Sequence, residues 1–211
     1  MIELHNVDCM EYLATLEDNA FELAIVDPPY GIDIANMNMG IGKGKKASKA
    51  KNRKWKPKNW DAHAPTEAFF HELFRVTQNC MIWGGNYFHL PPTKHFIFWD
   101  KQIPEGLTFA DGEFCWTTFT KAPRAFRYSA YKDKKGKFHP TQKPVKLYEW
   151  LLMNYAKEGD RILDTHLGSG SIAIACHNLG FDLVGCELDT EYFNAAQKRL
   201  KQHQSQMRIP L

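Results

Sequence analysis

The sequence predicts an α/β fold, a mostly parallel central sheet with helices on both faces. Three observations carry that reading. Strand-like and helix-like segments alternate at both ends of the chain. The run Phe21–Val26 (FELAIV) is apolar almost throughout, the pattern of a strand covered on both sides. Acids stand where such runs end, at positions 8, 27, 164 and 187, and in open α/β sheets ligands bind beyond the carboxyl ends of the strands.

In chain order, residues 2–7 read as a short strand ending at Asp8 and Cys9, residues 10–16 as a helix, Asp18 and Asn19 as a turn, and Phe21–Val26 as a buried strand. Residues 31–60 lack apolar periodicity. A helix over 66–77 follows, with Phe69, Phe70, Leu73, Phe74 and Thr77 at helical spacing. Strands are expected over 80–83, 95–99 and 113–120, and a polar, basic loop over 124–138. Pro144 suits the first turn of a helix reaching 156. Gly159 and Asp160 turn the chain into a strand over 161–164. A helix over 171–179 is capped by Gly180, then come a strand over 183–187 and a last helix over 190–202. No internal repeat is visible.

A length of 211 residues fits one domain carrying a long insertion, here residues 31–60, and 44% hydrophobic residues suffice for a core. Net charge is only +3, yet residues 31–60 hold nine Lys/Arg against the single acid Asp33, a local +8 on a body of −5. Such a patch repels itself unless a polyanion relieves it. Its centre is Gly/Lys-rich, which predicts a mobile segment in the free protein. The five cysteines form no C-x-x-C pair and read as reduced thiols of an intracellular protein. No leader is apparent at residue 1, and no run approaches the roughly 18 apolar residues of a membrane helix. The nine histidines show no metal-ligand spacing.

Asp27, Pro28, Pro29 and Tyr30 directly follow the buried strand. An acid, two prolines and an aromatic at a strand end build a rigid polar pocket with a flat wall, suited to a planar ring bearing an amine. Residues 164–170 (DTHLGSG) lie between a strand and a helix, with Gly168 and Gly170 permitting close backbone approach. Glu187 ends the next strand, where an acid accepts hydrogen bonds from ribose hydroxyls; Asp189 is a competing acid. The loop lacks the third glycine of a dinucleotide fingerprint and the Lys-Ser/Thr of a phosphate loop, which argues against NAD and ATP.

Together these motifs resemble those of the S-adenosylmethionine-dependent DNA amino-methyltransferases, in the circularly permuted (beta-type) subgroup whose catalytic motif precedes the cofactor motif. Asp27-Pro28-Pro29-Tyr30 resembles the catalytic motif, His139-Pro140-Thr141-Gln142-Lys143-Pro144 the run before the cofactor strand, and residues 164–170 the methionine-binding loop. Glu187 is similar to the ribose acid, Asp8 to the acid near the adenine ring, and Tyr192 to a recurring tyrosine. The resemblance implies a Rossmann-like methyltransferase fold and cofactor contacts from Asp8, Cys9, His139, Thr141, Lys143, Asp164, Gly168, Ser169, Gly170, Glu187 and Leu188. His139 is read first as shaping the segment over the cofactor and second as a proton carrier.

The implied activity is methyl transfer from S-adenosylmethionine to the exocyclic amine of adenine in double-stranded DNA, with the base flipped out. Asp27 and the Pro28 carbonyl would accept from the amine and Tyr30 would stack on the base. Phosphate contacts are expected from Lys43, Lys45, Lys46, Lys49, Lys51, Arg53, Lys54, Lys56 and Lys58, and DNA contacts from Arg124 and Arg127. Trp55 and Trp60 either pack on nucleic acid or fold the loop back. The expected setting is the cytoplasm of a bacterial or phage-infected cell, with neither metal nor membrane, and a homodimer would add recognition surface. Alternatives are the cytosine amine, an amine in RNA or on a protein glutamine, and a DNA-binding module with an inactive fold. Two departures stand out. The family's loop commonly reads Asp-Pro-Phe where this chain has Asp164-Thr165-His166, and residues 124–138 replace a full target-recognition region.

Overall fold

Phe21–Val26 forms β2 and sits inside an eight-stranded sheet because its side chains find cover on both faces. The computed structural model describes residues 1–34, 36, 58–105, 110–130, 132 and 136–206. The strands are β1 (Ile2–His5), β2, β3 (Thr77–Trp83), β4 (Phe96–Asp100), β5 (Gly112–Thr117), β6 (Arg124–Arg127), β7 (Arg161–Asp164) and β8 (Asp182–Cys186). They lie in the order β1-β8-β7-β2-β3-β5-β4-β6. Only β5 runs against its neighbours, and every other pairing is parallel. This is the strand order of a circularly permuted Rossmann-like methyltransferase fold, as expected.

The helices are α1 (Cys9–Leu13), α2 (Glu67–Val76), α3 (Val145–Tyr155), α4 (Ser171–Leu179) and α5 (Thr190–Gln204). Strand alternation divides the apolar residues into two cores. Ala24 and Val26 pack with Leu13 of α1 and the Phe69, Phe70, Leu73, Val76 stripe of α2. Leu23 and Ile25 face the other way, among Leu147, Leu151 and Leu152 of α3, Ile172 and Ala175 of α4, and Ala196 and Leu200 of α5. Each fully buried Leu or Phe is worth about 1.5–3 kcal/mol of transfer free energy. Both faces must be covered, or β2 would expose one apolar row.

Helix ends follow local chemistry. Pro144, with φ −66°, precedes α3, and Gly180 ends α4 in the left-handed region at φ 80°. Several elements differ from expectation: α1 ends at Leu13, not 16, and β5 ends at Thr117, not 120. β3 begins at Thr77, not 80, because Thr77 ends α2 by donating its hydroxyl to the Leu73 carbonyl at 2.7 Å and turns directly into extended backbone. The expected loop over 124–138 opens with strand β6, which pairs with β4 from Ile97↔Arg124 to Asp100↔Arg127. An edge strand needs partners on one side only. A single ring, Phe126 packed 5.3 Å from Trp150, gives it an inward face, too little for an apolar pattern. Most of the expected 31–60 segment lies outside the described residues, as do residue 131 and residues 133–135.

The topology creates one crevice. From β7 the chain passes through α4 to β8 on one side; from β2 it passes through α2 to β3 on the other. Between β7 and β2, paired at Leu23↔Ile162, the connections diverge, and such a switch point is where open α/β sheets bind ligands. Tyr30, just beyond β2, lies against Gly84 at the end of β3. Gly84 has φ 69°, and a Cβ there would stand 2.2 Å from the Tyr30 ring. Gly84→Ala is therefore expected to lower the unfolding free energy by about 1–3 kcal/mol in urea denaturation. An unchanged midpoint would contradict this packing.

Candidate active site

The loops beyond β1, β2, β7 and β8 open onto one cleft of about 600 Å³. Asp8, Cys9, Asp27, Pro28, Pro29, Tyr30, His139, Thr141, Lys143, Gly168, Ser169, Glu187 and Leu188 all line it. The structure thus brings together most of the catalytic and cofactor residues that the sequence singles out. Asp164 and Gly170 stand just behind the wall. Asp164 is buried, with its carboxyl Oδ1 accepting from the His166 amide at 3.0 Å. Gly170 precedes α4 at φ 68°, where a Cβ would press on Ala196 at 3.1 Å.

On one side, β1 pairs with β8, so Asp8 and Glu187 stand at adjacent strand ends. Asp8 caps α1 by accepting from the Met10 amide at 2.8 Å. Glu187 accepts from the Gly168 amide at 2.7 Å and the Asp189 amide at 2.9 Å, which fixes its carboxylate between the glycine loop and α5. Burial pushes its carboxyl above the ordinary value. Asp189, the competing acid, is occupied as the N-cap of α5 and as a partner of Lys58. Burial pushes the Cys9 thiol up to about 12, with Asp8 adding to the shift, so it stays protonated. His166 is pushed down to about 4 by burial and sets a neutral ring edge-on to Phe69 at 5.3 Å. His166 lines the cleft.

On the other side, the Tyr30 hydroxyl donates to Asp27 Oδ1 at 2.7 Å, and the Tyr30 ring stacks on Tyr87 at 4.8 Å. Lys143, expected on the cofactor side, instead donates its ammonium to Asp27 Oδ2. The same Nζ lies 3.0 Å from Glu113 Oε2, and Lys101 Nζ lies 2.5 Å from Glu113 Oε1. The Lys143 side chain is only 2% exposed and is the most buried of four alternating charges, Asp27, Lys143, Glu113 and Lys101. Burial opposes the charge on Lys143, but Asp27 and Glu113 outweigh it and hold the ammonium above its ordinary value. Burial likewise opposes charge on Glu113, but Lys143 and Lys101 hold it down to about 2. Burial dominates at Asp27 and leaves that carboxyl raised despite Lys143. Glu113 and Lys101 were not anticipated; a strand glutamate amid apolar residues was the signal.

His139 is buried with its ring 4.3 Å from Tyr192 and 5.3 Å from Trp60. Burial, then Lys137 and Lys143, push it down to about 3. A neutral, packed imidazole fits the shaping role. Trp60 folds back onto the protein, and Lys58 does so too: its Nζ lies 2.5 Å from Asp189 and 3.1 Å from Glu191, 4.4 Å above the Tyr192 ring. Lys58, expected on phosphates, is thus committed to internal ion pairs. Lys43, Lys45, Lys46, Lys49, Lys51, Arg53, Lys54, Lys56 and Trp55 lie outside the described residues. Arg124 and Arg127 stand on the edge strand β6 and do not line the cleft; Arg127 approaches Asp100 at 3.4 Å. Among the described residues no helix is long and apolar enough to cross a membrane, and no cluster of metal-binding side chains occurs.

Residues 44–198 match the family model described as DNA methylase. Type II methyltransferase M.HpaI of Haemophilus parainfluenzae is 39% identical over 75 residues, covering 36% of this chain and 24% of that protein. Type II methyltransferase M2.LlaDCHI of Lactococcus lactis subsp. cremoris is 39% identical over 144 residues, covering 67% of this chain and 48% of that protein. The chain spans about a quarter of the first relative and about half of the second. Among solved structures, that of M1.HpyAVI in complex with SAM matches with a TM-score of 0.59 at 20% identity, covering 95% of this chain and 100% of that one. That likeness is one of fold.

Asp164 gives the site a pH signature. Burial pushes its carboxyl up from 3.8 to about 8. Between those values the unfolded chain has lost this proton and the folded chain keeps it, so the folded state binds more protons and its stability falls as pH rises. Asp164→Asn removes that dependence while leaving an oxygen to accept from the His166 amide. The variant is expected to gain stability over the parent progressively from pH 5 to pH 8, by roughly 2–5 kcal/mol at the upper end. A difference in urea unfolding free energy that stays constant over this range would refute the assignment.

Proposed function

Because this chain belongs to the DNA methylase family, we propose that it transfers a methyl group from S-adenosylmethionine to the exocyclic amine of adenine in double-stranded DNA, acting on a flipped base. One observation carries the reading. The Asp27-Pro28-Pro29-Tyr30 motif and the Glu187–Gly168 pair share a single cleft at the switch point of the sheet.

The lining residues fit that cofactor. Glu187 offers a fixed carboxylate to ribose hydroxyls, and Asp8 stands one strand further along. Among the described lining residues Lys143 is the only Lys or Arg, and it is committed to Asp27 and Glu113. The cleft therefore suits a nucleoside without phosphates, and its acids suit a cationic centre. When bound, S-adenosylmethionine supplies a methyl group on a sulfonium.

The chain's own residues would prepare the acceptor. The exocyclic amine of adenine is a poor nucleophile because its lone pair is delocalised into the ring. Asp27 accepts a hydrogen bond from that amine, with the Pro28 carbonyl as a second acceptor, and so localises the pair on nitrogen. Its raised carboxyl is suited to receive the proton that the amine sheds. The prolines fix the backbone and contribute no competing N–H. Tyr30, backed by Tyr87, supplies the flat wall. Lys143 and Tyr30 hold the Asp27 carboxylate in one orientation, which is the preorganisation on which electrostatic catalysis depends. Unpairing the base costs a few kcal/mol, offset by backbone contacts from the basic segment.

The test uses purified protein, labelled S-adenosylmethionine and unmethylated duplex DNA of mixed sequence, with the products digested to nucleosides and identified by mass spectrometry. N6-methyladenine is the expected product. Label in cytosine would change the base, and no labelled nucleoside despite cofactor binding would overturn the reading. Asp27→Ala is expected to keep cofactor affinity within about threefold and lose methyl transfer by about 100-fold or more; near-parent activity would remove Asp27 from the chemistry. Replacing four of Lys43, Lys45, Lys46, Lys49, Lys51, Arg53, Lys54 and Lys56 by alanine should flatten the salt dependence of DNA binding by about 0.9 log units per lost phosphate contact. An unchanged slope would count against their role.

A further inference from the structure

We propose that Asp61 is a positioning residue for the catalytic motif: its buried carboxylate fixes the backbone that follows Pro29 and thereby the orientation of Asp27 and Tyr30. The inference rests on the reading of Asp27 above and deepens it.

Asp61 is 0% exposed. A carboxylate so placed is costly unless it is fully hydrogen-bonded. Its partners are all backbone amides of one short segment. Oδ1 accepts from Tyr30 at 2.6 Å and Gly31 at 3.0 Å, and Oδ2 accepts from Ile34 at 2.7 Å. The Asp61 carbonyl takes a fourth donor, the Asp33 amide, at 3.1 Å. No ion pair of Asp61 occurs among the described residues, so its charge is set against these amides, and amide-to-carboxylate bonds are the stronger, charge-assisted kind.

This segment has no helix or sheet ladder of its own to define it. Gly31 sits at φ 72°, and a Cβ there would meet the Ala64 nitrogen at 2.7 Å, so the segment is pressed against the strand of chain that carries Asp61. Pro28 and Pro29 have fixed φ. A shift of the Tyr30 backbone is therefore passed along a stiff link to Asp27, and the Tyr30 hydroxyl, donating to Asp27 Oδ1 at 2.7 Å, would move with it. An aspartate is specifically suited here. Asparagine offers one oxygen where two are used and turns an NH₂ toward an amide donor. Glutamate displaces the carboxylate by one methylene from the three amides it accepts from.

The test compares the parent with Asp61→Asn by amide hydrogen exchange and by steady-state kinetics. In the protein alone, protection at residues 30–34 is expected to fall about tenfold or more while β2 keeps its protection. In turnover, kcat is expected to fall about tenfold or more, with KM for DNA and cofactor affinity within about threefold, since a misplacement near 1 Å suffices for such losses. Unchanged exchange at 30–34, or parent-like kcat, would overturn the proposal. So would a uniform loss of protection across β2 with a matching loss of cofactor affinity, the pattern of general destabilisation. Should Asp61→Asn fail to fold, Asp61→Glu, which keeps the charge, decides by the same readouts. The exchange measurement needs no methyl transfer. It therefore judges Asp61 even if the parent methylates no DNA, whereas a parent that methylates DNA alongside an equally active variant sinks this inference alone.

Discussion

The ion pair between Lys143 and Asp27 is the constraint on which the rest of the cleft depends. It joins positions 116 residues apart and does so in the interior, where an ammonium without partners would be untenable. Glu113 and Lys101 complete an alternating series that leaves no net charge buried. The Lys143 backbone also matters. Its carbonyl accepts from the Ser171 hydroxyl at 2.7 Å at the start of α4, and Arg199 of α5 donates to that hydroxyl at 2.9 Å and to the Ser169 carbonyl at 2.8 Å. One residue therefore anchors the acid beyond β2 through its side chain and the glycine loop beyond β7 through its main chain. The two sides of the cleft are held in register by the same few atoms.

Closely spaced groups of one chemical type are given different work by geometry. Glu187 and Asp189 are two residues apart. The first ends a strand and turns its carboxylate to the glycine loop; the second caps a helix and receives Lys58. Local backbone direction makes that division, since a residue at an N-cap spends its side chain on amides at its own helix start. His139 and His166 are both held neutral chiefly by burial. Among the described lining residues the carboxyls outnumber the basic side chains, with Lys143 the one lysine.

How much of this was legible in the sequence depended on range. Phe21–Val26, the strand over 161–164 and the helix over 171–179 could be read to the residue because apolar runs and glycine caps are local signals. The acids at strand ends were legible for the same reason. β6 was not, since an edge strand of two arginines, an alanine and a phenylalanine resembles a solvated loop. The commitment of Lys58 was hidden by its neighbours: a run of cations gives no sign of which one has folded back onto an acidic helix start. The partners of Lys143 are decided by where the ends of β2 and β5 lie in the sheet, and those of Asp61 by contacts within the connection from β2 to α2; no spacing along the chain encodes either.

The strand order has a consequence for how the protein is made. β1 pairs with β8, roughly 180 residues later, and β2 pairs with β7, roughly 140 residues later. At a synthesis rate of about 5–20 residues per second, β1 waits roughly ten to forty seconds for its neighbour. Meanwhile β2, α2 and β3 are close in sequence and can assemble at once. The nascent chain thus passes through a stage in which Asp27 already stands at the end of a paired strand while Lys143 has not yet been synthesised and one side of β2 remains open. Such unpaired edges invite association with other chains, and closure by β7 and β8 is the late, non-local step that slows folding. A permuted order of motifs therefore leaves the finished sheet unchanged but sets which half of it must survive, unprotected, on the ribosome.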